Sequence, residues 1–164
     1  MLAKLVDAGK LDWNAHVTDV YPAFKLGSAD TTRQVLVKHL ICACTGLPRQ
    51  DYEWLLEGEK QTPESVMSTL ATMQPTSGFG ELFQYSNPLA AAAGFIGGQI
   101  ANPGSELGAG YDKAMQSLVF DPLGMLARYA AYGDGTPLAG EVLEFEGLAI
   151  GQRREQVALV VRSG

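Results

Sequence analysis

Residues 83–88 read Phe83-Gln84-Tyr85-Ser86-Asn87-Pro88, and they stand between a glycine-rich loop and a stretch rich in small residues. Asn87 and Pro88 are residue types that begin helices, because an Asn side chain accepts a backbone hydrogen bond at the N-cap and proline presets a helical φ. On these residues alone, Tyr85 is an ordinary half-buried aromatic. A functional interpretation of the segment therefore depends on the rest of the chain.

The chain on both sides of this segment has the spacing of a helical domain. Apolar residues recur at intervals of three and four and are bounded by residues typical of helix ends. The predicted helices are one ended by Gly9, one begun by Thr31 or Thr32 and closed by Gly46, one begun by Thr62-Pro63-Glu64, one from Asn87 to Ile100, and one from Asp112 to Phe120. After Met125, Leu143 and Phe145 alternate with glutamates ahead of the apolar run Val157 to Val161. This change of pattern predicts a β-hairpin near the C-terminus.

Length and charge exclude several classes of protein. The chain has 164 residues, 46% of them hydrophobic, which suits one domain with a core of its own and excludes a disordered tail. Its 12 Lys+Arg against 18 Asp+Glu give a net charge of −6, so a nucleic-acid partner is not expected, because such affinity comes largely from clustered basic residues. The most apolar stretch, Leu89 to Ala101, is too short to span a membrane.

One group of possible metal ligands lies in the segment that closes the second predicted helix. His39, Cys42 and Cys44 form an H-x2-C-x-C pattern, which offers three soft ligands where a structural zinc site requires four. A disulfide is disfavoured as well, because two cysteines that flank one residue rarely meet disulfide geometry. We therefore expect two buried thiols, no metal and no cofactor.

Four further stretches accompany residues 83–88 along the chain. They are Leu5-Val-Asp-Ala-Gly-Lys-Leu-Asp12, Val17-Thr-Asp-Val-Tyr-Pro22, His39-Leu-Ile-Cys-Ala-Cys-Thr-Gly-Leu-Pro48 and Phe120-Asp-Pro-Leu-Gly-Met125. In this order and at these separations, the chain resembles the serine β-lactamase-like hydrolases: class C β-lactamases, D-alanyl-D-alanine carboxypeptidases, penicillin-binding proteins and related esterases. The resemblance covers roughly residues 2–125.

The chain also departs from the pattern of this family. Cys42, Ala43 and Cys44 stand where the family usually has Thr, His and Thr, and Thr45 replaces the Ser before Gly46. These departures lie on a structural loop, so they leave the resemblance intact. It implies an α+β fold, predominantly helical. Residues 1–125 would supply most of the helical subdomain of the β-lactamase and penicillin-binding-protein fold, and residues 126–164 would form a C-terminal segment with a short β-hairpin that does not match the family.

The resemblance also implies a mechanism, acyl transfer through a serine nucleophile. In the family a Ser in an S-x-x-K motif attacks a carbonyl, the Lys and a Tyr move the proton, and a K-T-G strand helps to hold the substrate. Tyr85 would be the Tyr of the Y-x-N motif, and Asn87 would offer its amide to the substrate and the Lys. Ser86, between them, is expected to be a turn residue rather than a nucleophile.

The nucleophile motif itself is missing, since no serine of the chain has a lysine three residues later. In the family this motif precedes the "LV-acid-x-GKL" helix end, so we expect the chain to be truncated and, by itself, inactive. Near the C-terminus of the sequence, Arg162-Ser163-Gly164 is the only partial match to the K-T-G motif.

The alternative is a non-catalytic module of the same family that binds ligands or another subunit. Self-association is then possible, because a second copy could cover apolar helix faces. In the parent protein the expected partner is a small acyl substrate, and the choice among β-lactams, D-Ala peptides and short esters stays open. The compartment also stays open, with the two cysteines slightly favouring the cytoplasm.

Overall fold

The computed structural model describes residues 1–50 and 61–123, together with the backbone of residues 125–126 and 144–145. The described part is helix-rich, as the sequence predicts. Its α-helices are α1 (Leu2–Asp7), α2 (Val17–Val20), α3 (Ala29–Gln34), α4 (Pro63–Leu70), α5 (Asn87–Ala101) and α6 (Leu107–Met115). A 3-10 helix spans Val37–Leu40, a π-helical turn Gln116–Phe120 and a second 3-10 turn Asp121–Leu123.

Helix α5 lies at the centre of this arrangement and contacts α1, α4 and α6. It is mostly buried, because small and apolar residues cover nearly all of its faces. A helix without a polar face of its own is stable only when other elements surround it. The predicted span is confirmed to within a residue, but Ser86 rather than Asn87 is the N-cap, and Asn87 is the first helical residue.

The contact between α5 and α6 depends on glycine. A Cβ built on Gly98 would lie 2.7 Å from backbone atoms of Gly110 and Tyr111, so only a residue without a side chain lets the two backbones approach this closely. Next to this crossing, Asn102 Nδ2 donates to the Gly110 carbonyl at 3.0 Å, and the rings of Phe95 and Tyr111 meet edge to face at 6.2 Å.

A single large core lies on the other side of α5. Leu5 of α1, Leu89 and Ile96 of α5 and Leu70 of α4 are all buried within it. The remaining buried members come from the loops and short helices: Leu11, Val17, Phe24, Leu26, Val35, Val37, Leu40, Leu47, Met73, Ala92 and Ala93. Residues from Leu5 to Ile96 therefore share one hydrophobic core. A second, smaller cluster joins Val66 of α4, Phe95 of α5 and Leu107 of α6.

The start of α4 confirms the helix predicted from Thr62-Pro63-Glu64. Thr62 is the N-cap, and its hydroxyl accepts the Ser65 N–H at 3.1 Å while Ser65 Oγ accepts the Thr62 N–H at 2.9 Å. This reciprocal pair satisfies two backbone donors that a helix start leaves without intrahelical partners.

The helix predicted to begin at Thr31 or Thr32 and to close at Gly46 is wrong. Its N-cap is Ser28, which accepts the Thr31 N–H at 3.2 Å, and α3 already ends at Gln34. Val35 and Leu36 are extended, because this strand-like piece bonds to a distant loop: the Val17 N–H donates to the Val35 carbonyl at 3.0 Å. Long-range pairing thus overrides the helical spacing, as β-branched residues favour.

The helix predicted over Asp112 to Phe120 begins earlier and changes type. It starts as α6 after the N-cap Glu106, and its last turn is π-helical from Gln116. Gly108 and Gly110 weaken the helical signal in the sequence. Both are buried, and Gly110 lies at the crossing with α5. The glycines that weaken the helical signal in the sequence are therefore the ones that allow the close packing of α6.

Two short strands complete the described chain. Met125–Leu126 pairs antiparallel with Glu144–Phe145, with Met125 opposite Phe145. The predicted partner run, Val157 to Val161, lies outside the described residues, so the predicted hairpin of Leu143 to Phe145 with this run stays a prediction. Arg162-Ser163-Gly164 lies outside the described residues as well. Within the described ranges, no helix has the length and apolar character to cross a membrane.

Candidate active site

Tyr85 and Asn87 stand at the N-terminal end of α5 and share one side of the chain. Ser86 between them has an extended backbone, with φ −134° and ψ 102°, and extended backbone sends alternate side chains to opposite sides. Tyr85 is accordingly 48% exposed while Ser86 is 5% exposed. By this alternation, the two residues that the resemblance assigns to chemistry fall on the same side of the backbone, with Tyr85 exposed and Asn87 partly buried.

Ser86 has its side chain inside the protein. Its Oγ is buried and has no hydrogen-bond partner among the described residues. A buried hydroxyl cannot meet an external carbonyl, which supports the expectation that Ser86 is not a nucleophile. Ser86 is, however, the extended N-cap of α5 and not the turn residue that was expected.

Two loops support the Tyr85 segment, and we call them the site loops: residues 41–50 and residues 76–86. Backbone hydrogen bonds join them at three points. The N–H groups of Thr76, Gly80 and Gln84 donate to the carbonyls of Gly46, Cys44 and Ala43 at 2.8, 2.8 and 2.7 Å respectively. The last of these bonds is adjacent to Tyr85, so the site loops directly position the candidate catalytic residue.

Gln84 joins the two ends of the second site loop. Its Nε2 donates to Thr76 Oγ1 at 3.0 Å, and its Oε1 accepts from Ser77 Oγ at 2.7 Å. Together with the bond to Ala43, three hydrogen bonds hold the residue that precedes Tyr85. Inside the loop, the Gly78 N–H donates to Glu81 Oε2 at 2.9 Å and closes its tip.

Gly46 lies in close contact with the backbone of the second site loop. Its φ is +77°, and a Cβ at this position would overlap the carbonyl oxygen of Ser77 and lie 3.2 Å from the carbonyl carbon. Both the left-handed backbone and the absence of a side chain are needed there. The Gly of the "TGLP" stretch is thus a packing requirement of the site.

The surface around Tyr85 is both cationic and apolar. The Arg49 guanidinium lies 5.9 Å from the centroid of the Tyr85 ring, within the range of a cation–π interaction. Leu82 and Phe83 are 57% and 79% exposed, and Ile41 on the other site loop is 55% exposed. Large apolar side chains left in water beside a candidate site indicate a surface that another molecule or segment covers.

His39 packs against Phe79 in the glycine-rich loop. Its ring meets Phe79 edge to face at 5.0 Å, and its Nδ1 accepts the Leu36 N–H at 3.1 Å. Burial lowers the pKa of the imidazole from its usual 6.5, a backbone hydrogen bond with Gln34 opposes this shift, and the Lys38 charge adds to it. A neutral ring in this position acts as a packing element and an acceptor.

Cys42 and Cys44 overturn the expectation of two buried thiols. They form a disulfide with a Cα–Cα distance of 5.3 Å, and both residues are partly exposed. Ala43 between them has φ +55°, and this left-handed turn brings the two Cα atoms closer than the roughly 7 Å that two extended residues span. In the part of the chain that the structure describes, no group of three His, Cys, Asp or Glu side chains is placed to hold a metal.

Sequence reasoning did not find Gln84, Arg49 or the disulfide. Gln84 and Arg49 are ordinary surface residue types, and their partners lie on a different loop, which no local pattern reports. The cysteine pair was visible, but the left-handed Ala43 that allows the bond was not, because alanine rarely adopts that conformation. The Arg49–Tyr85 contact and the Gln84–Ala43 bond join the two site loops, whereas the disulfide lies within the first of them.

The family model described as Beta-lactamase matches residues 1–130. The octameric penicillin-binding protein homologue from Pyrococcus abyssi superposes with a TM-score of 0.62 at 25% identity, over 78% of this chain and 29% of that one. The D-stereospecific amidohydrolase from Streptomyces sp. superposes with a TM-score of 0.60 at 19% identity, over 83% of this chain and 44% of that one. The chain thus spans less than half of either solved protein, and no curated protein matches it.

Proposed function

The chain belongs to the β-lactamase family, and on that premise we propose that it is the helical part of a serine hydrolase that transfers an acyl group from a β-lactam, a D-Ala peptide or a short ester. The family match over residues 1–130 supports this proposal. So does the arrangement at the start of α5, where an exposed tyrosine and an asparagine share one face. The placement of Tyr85 is the observation that carries the proposal.

In the proposed reaction the serine oxygen attacks the substrate carbonyl and forms a covalent acyl-enzyme. The serine proton passes to the nitrogen or oxygen that leaves, and water then cleaves the acyl-serine bond. The Tyr85 hydroxyl would relay that proton. The Asn87 side chain provides an amide that can hydrogen-bond the substrate and the lysine of S-x-x-K.

This division of roles predicts that the 164-residue chain does not turn over substrate. The sequence holds no S-x-x-K motif, and without its serine no acyl-enzyme can form. The chain would contribute one wall of the active site and the proton-relaying tyrosine. The serine and lysine would have to come from a segment outside residues 1–164.

Intact-mass spectrometry tests both parts of the proposal. The 164-residue chain and the full-length product of its gene are incubated separately with a fluorophosphonate and with a penicillin. We expect no adduct on the 164-residue chain, and one adduct from at least one reagent on the full-length product. In the full-length protein, Tyr85→Phe should slow acylation about 100-fold or more, while the exposed aromatic control Phe83→Tyr should leave it nearly unchanged. An adduct on Ser86 of the short chain would overturn the assignment of the nucleophile.

A second candidate function is a non-catalytic module that associates with copies of itself. The exposed side chains Ile41, Leu82 and Phe83 favour it, and one solved relative is an octamer. Sedimentation equilibrium over a 100-fold concentration range distinguishes the two. A concentration-dependent oligomer that Phe83→Ser dissociates, with no adduct on the full-length protein, would favour the module over the enzyme.

A further inference from the structure

The Cys42–Cys44 disulfide encloses the one non-glycine residue that has a left-handed backbone among those the structure describes, Ala43 with φ +55°. An L-residue with a Cβ disfavours this conformation, so something in the fold must hold it. The bond between the two flanking sulfurs, whose Cα atoms lie 5.3 Å apart, closes a small ring around Ala43 and so restricts rotation about its backbone bonds.

One carbonyl within this small ring, that of Ala43, and the carbonyl directly after the ring, that of Cys44, make the contacts to the other site loop. The Ala43 carbonyl accepts the Gln84 N–H at 2.7 Å, and the Cys44 carbonyl accepts the Gly80 N–H at 2.8 Å. The direction in which a carbonyl points is set by the backbone angles on either side of it. The conformation of Ala43 therefore sets the direction of its own carbonyl, and through the ring it sets the position of Cys44, whose carbonyl is the second acceptor.

We propose that the Cys42–Cys44 disulfide is a redox-controlled clamp on the Tyr85 segment. In the oxidised state it locks Ala43 and holds Gln84 and Gly80 in place. In the reduced state Ala43 returns to ordinary backbone conformations, the two hydrogen bonds weaken, and residues 78–85 become mobile. The clamp regulates the proposed hydrolase site, and its significance for activity rests on that proposed function.

The chemistry of the switch requires a thiol reductant. A dithiol transfers two electrons and two protons: the Cys42–Cys44 bond breaks, two thiols form, and the dithiol sulfurs form a new disulfide. Both cysteines are partly exposed, and this exposure gives the attacking thiolate access. Once reduced, the Cys42 thiol has an acceptor in reach, because its sulfur lies 3.5 Å from the His39 carbonyl oxygen.

Amide hydrogen exchange of the 164-residue chain tests the clamp. The chain is oxidised with diamide, the loss of two hydrogens is verified by intact mass, and exchange is compared before and after dithiothreitol. We expect the amides of Gly80 and Gln84 to exchange about tenfold faster after reduction. The Ala90 amide, which bonds to the Ser86 carbonyl at the first turn of α5, is the internal control and should not change.

Two variants separate the disulfide from general effects of the reductant. The double variant Cys42→Ser and Cys44→Ser should resemble the reduced chain and should not respond to dithiothreitol. In Ala43→Gly the left-handed conformation is accessible without the disulfide, because glycine has no Cβ. The difference in Gly80 and Gln84 exchange rates between the oxidised and reduced states should therefore shrink by half or more.

The proposal is overturned if the Gly80 and Gln84 amides exchange equally in both states, or if thiol titration finds both cysteines free after diamide treatment. Should the double variant not fold, the two redox states of the unmodified chain still decide the question. None of these readouts depends on hydrolysis, so failure of the clamp is distinguishable from failure of the proposed acyl transfer.

Discussion

Helix α5 joins two regions that are stabilised in different ways. Its C-terminal half crosses α6 through close backbone contact at Gly98 and lies among buried apolar side chains. Its N-terminal end emerges from the site loops, where backbone and side-chain hydrogen bonds hold the chain and large apolar residues are exposed. The helical core therefore depends on packing, and the site depends on directional bonds between distant loops.

This difference implies different responses to mutation. Packing contacts in the core are shared by many residues, so a local clash there propagates into the free energy of unfolding. A hydrogen bond between loops contributes about 1 kcal/mol net, but it determines where Tyr85 stands. We expect core substitutions to change stability most, and site-loop substitutions to change the geometry of the site more than the stability.

The largest effect is expected for Gly98→Ala. The new Cβ would meet backbone atoms of Gly110 and Tyr111, which cannot rotate away, so α5 and α6 must separate and the free energy of unfolding should fall by about 3 kcal/mol. Gly94→Ala is the matched control, because its Cβ meets only the Tyr111 ring, at 2.9 Å. Urea denaturation should place this control within about 1 kcal/mol of the parent. Equal losses for both variants would contradict the close-crossing argument.

Gly46→Ala should have the next largest effect and extend the comparison to the site loops. The substitution adds a left-handed alanine and an overlap with the Ser77 carbonyl, and together they should lower stability by about 2 kcal/mol. Gly104→Ala, with φ +82° and nothing within 4 Å of the new Cβ, isolates the backbone contribution of about 1 kcal/mol. Thermal melts of the two variants measure the difference, which should vanish if the loops are not in contact.

Gln84→Ala should lower stability by only about 1 kcal/mol, because it removes side-chain bonds to Thr76 and Ser77. The larger change should be local: the NMR signals of the Tyr85 ring should shift, since the preceding residue is released. Gln74→Ala, which removes one bond to the Gly27 carbonyl, provides a control with the same chemical change away from Tyr85. A Tyr85 signal that stays in place in Gln84→Ala would show that this side chain does not position the site.

The smallest effect concerns pH. Because burial lowers the pKa of His39 in the folded state, the unfolded chain binds the proton more tightly, and stability should fall as the pH decreases through 6.5. Denaturation midpoints at pH 7.5 and pH 5 measure this loss of stability, and His39→Gln should remove the share of it that is due to His39. His16→Gln, at the exposed histidine, should retain the part due to His39.

Helix-terminal residues predicted most of the helical core correctly. Thr62 with Pro63 marks the start of α4, and Asn102 marks the end of α5, because capping and proline effects act within one turn and are readable from neighbouring residues. The α3 region was predicted wrongly where a distant strand-like contact at Val35 competes with helical spacing. The start of α6 was missed where glycines serve a crossing that no local pattern reveals.

The family was recognisable from five ordered stretches, and the match over residues 1–130 confirms the family. The assignment of Tyr85 and Asn87 to a Y-x-N motif stays a prediction. The catalytic roles of Tyr85 and Asn87 stay predictions. The contacts around Tyr85 and Asn87 could not be predicted from the sequence, because they join residues that are far apart along the chain. Gln84 reaches Ala43 across 41 positions of sequence, and Arg49 approaches Tyr85 from the other site loop.

The sequence by itself determined that the described chain is mostly helical, the start of α4, the end of α5, the family and the absence of an S-x-x-K serine, because each of these can be read from residues a few positions apart. Only the tertiary structure decided that Ala43 turns left-handed, that its two cysteine neighbours bond, and that Gln84 and Gly46 lock the site loops together. These features are properties of pairs of backbone segments. Their free energy depends on distances that local residue preferences do not determine.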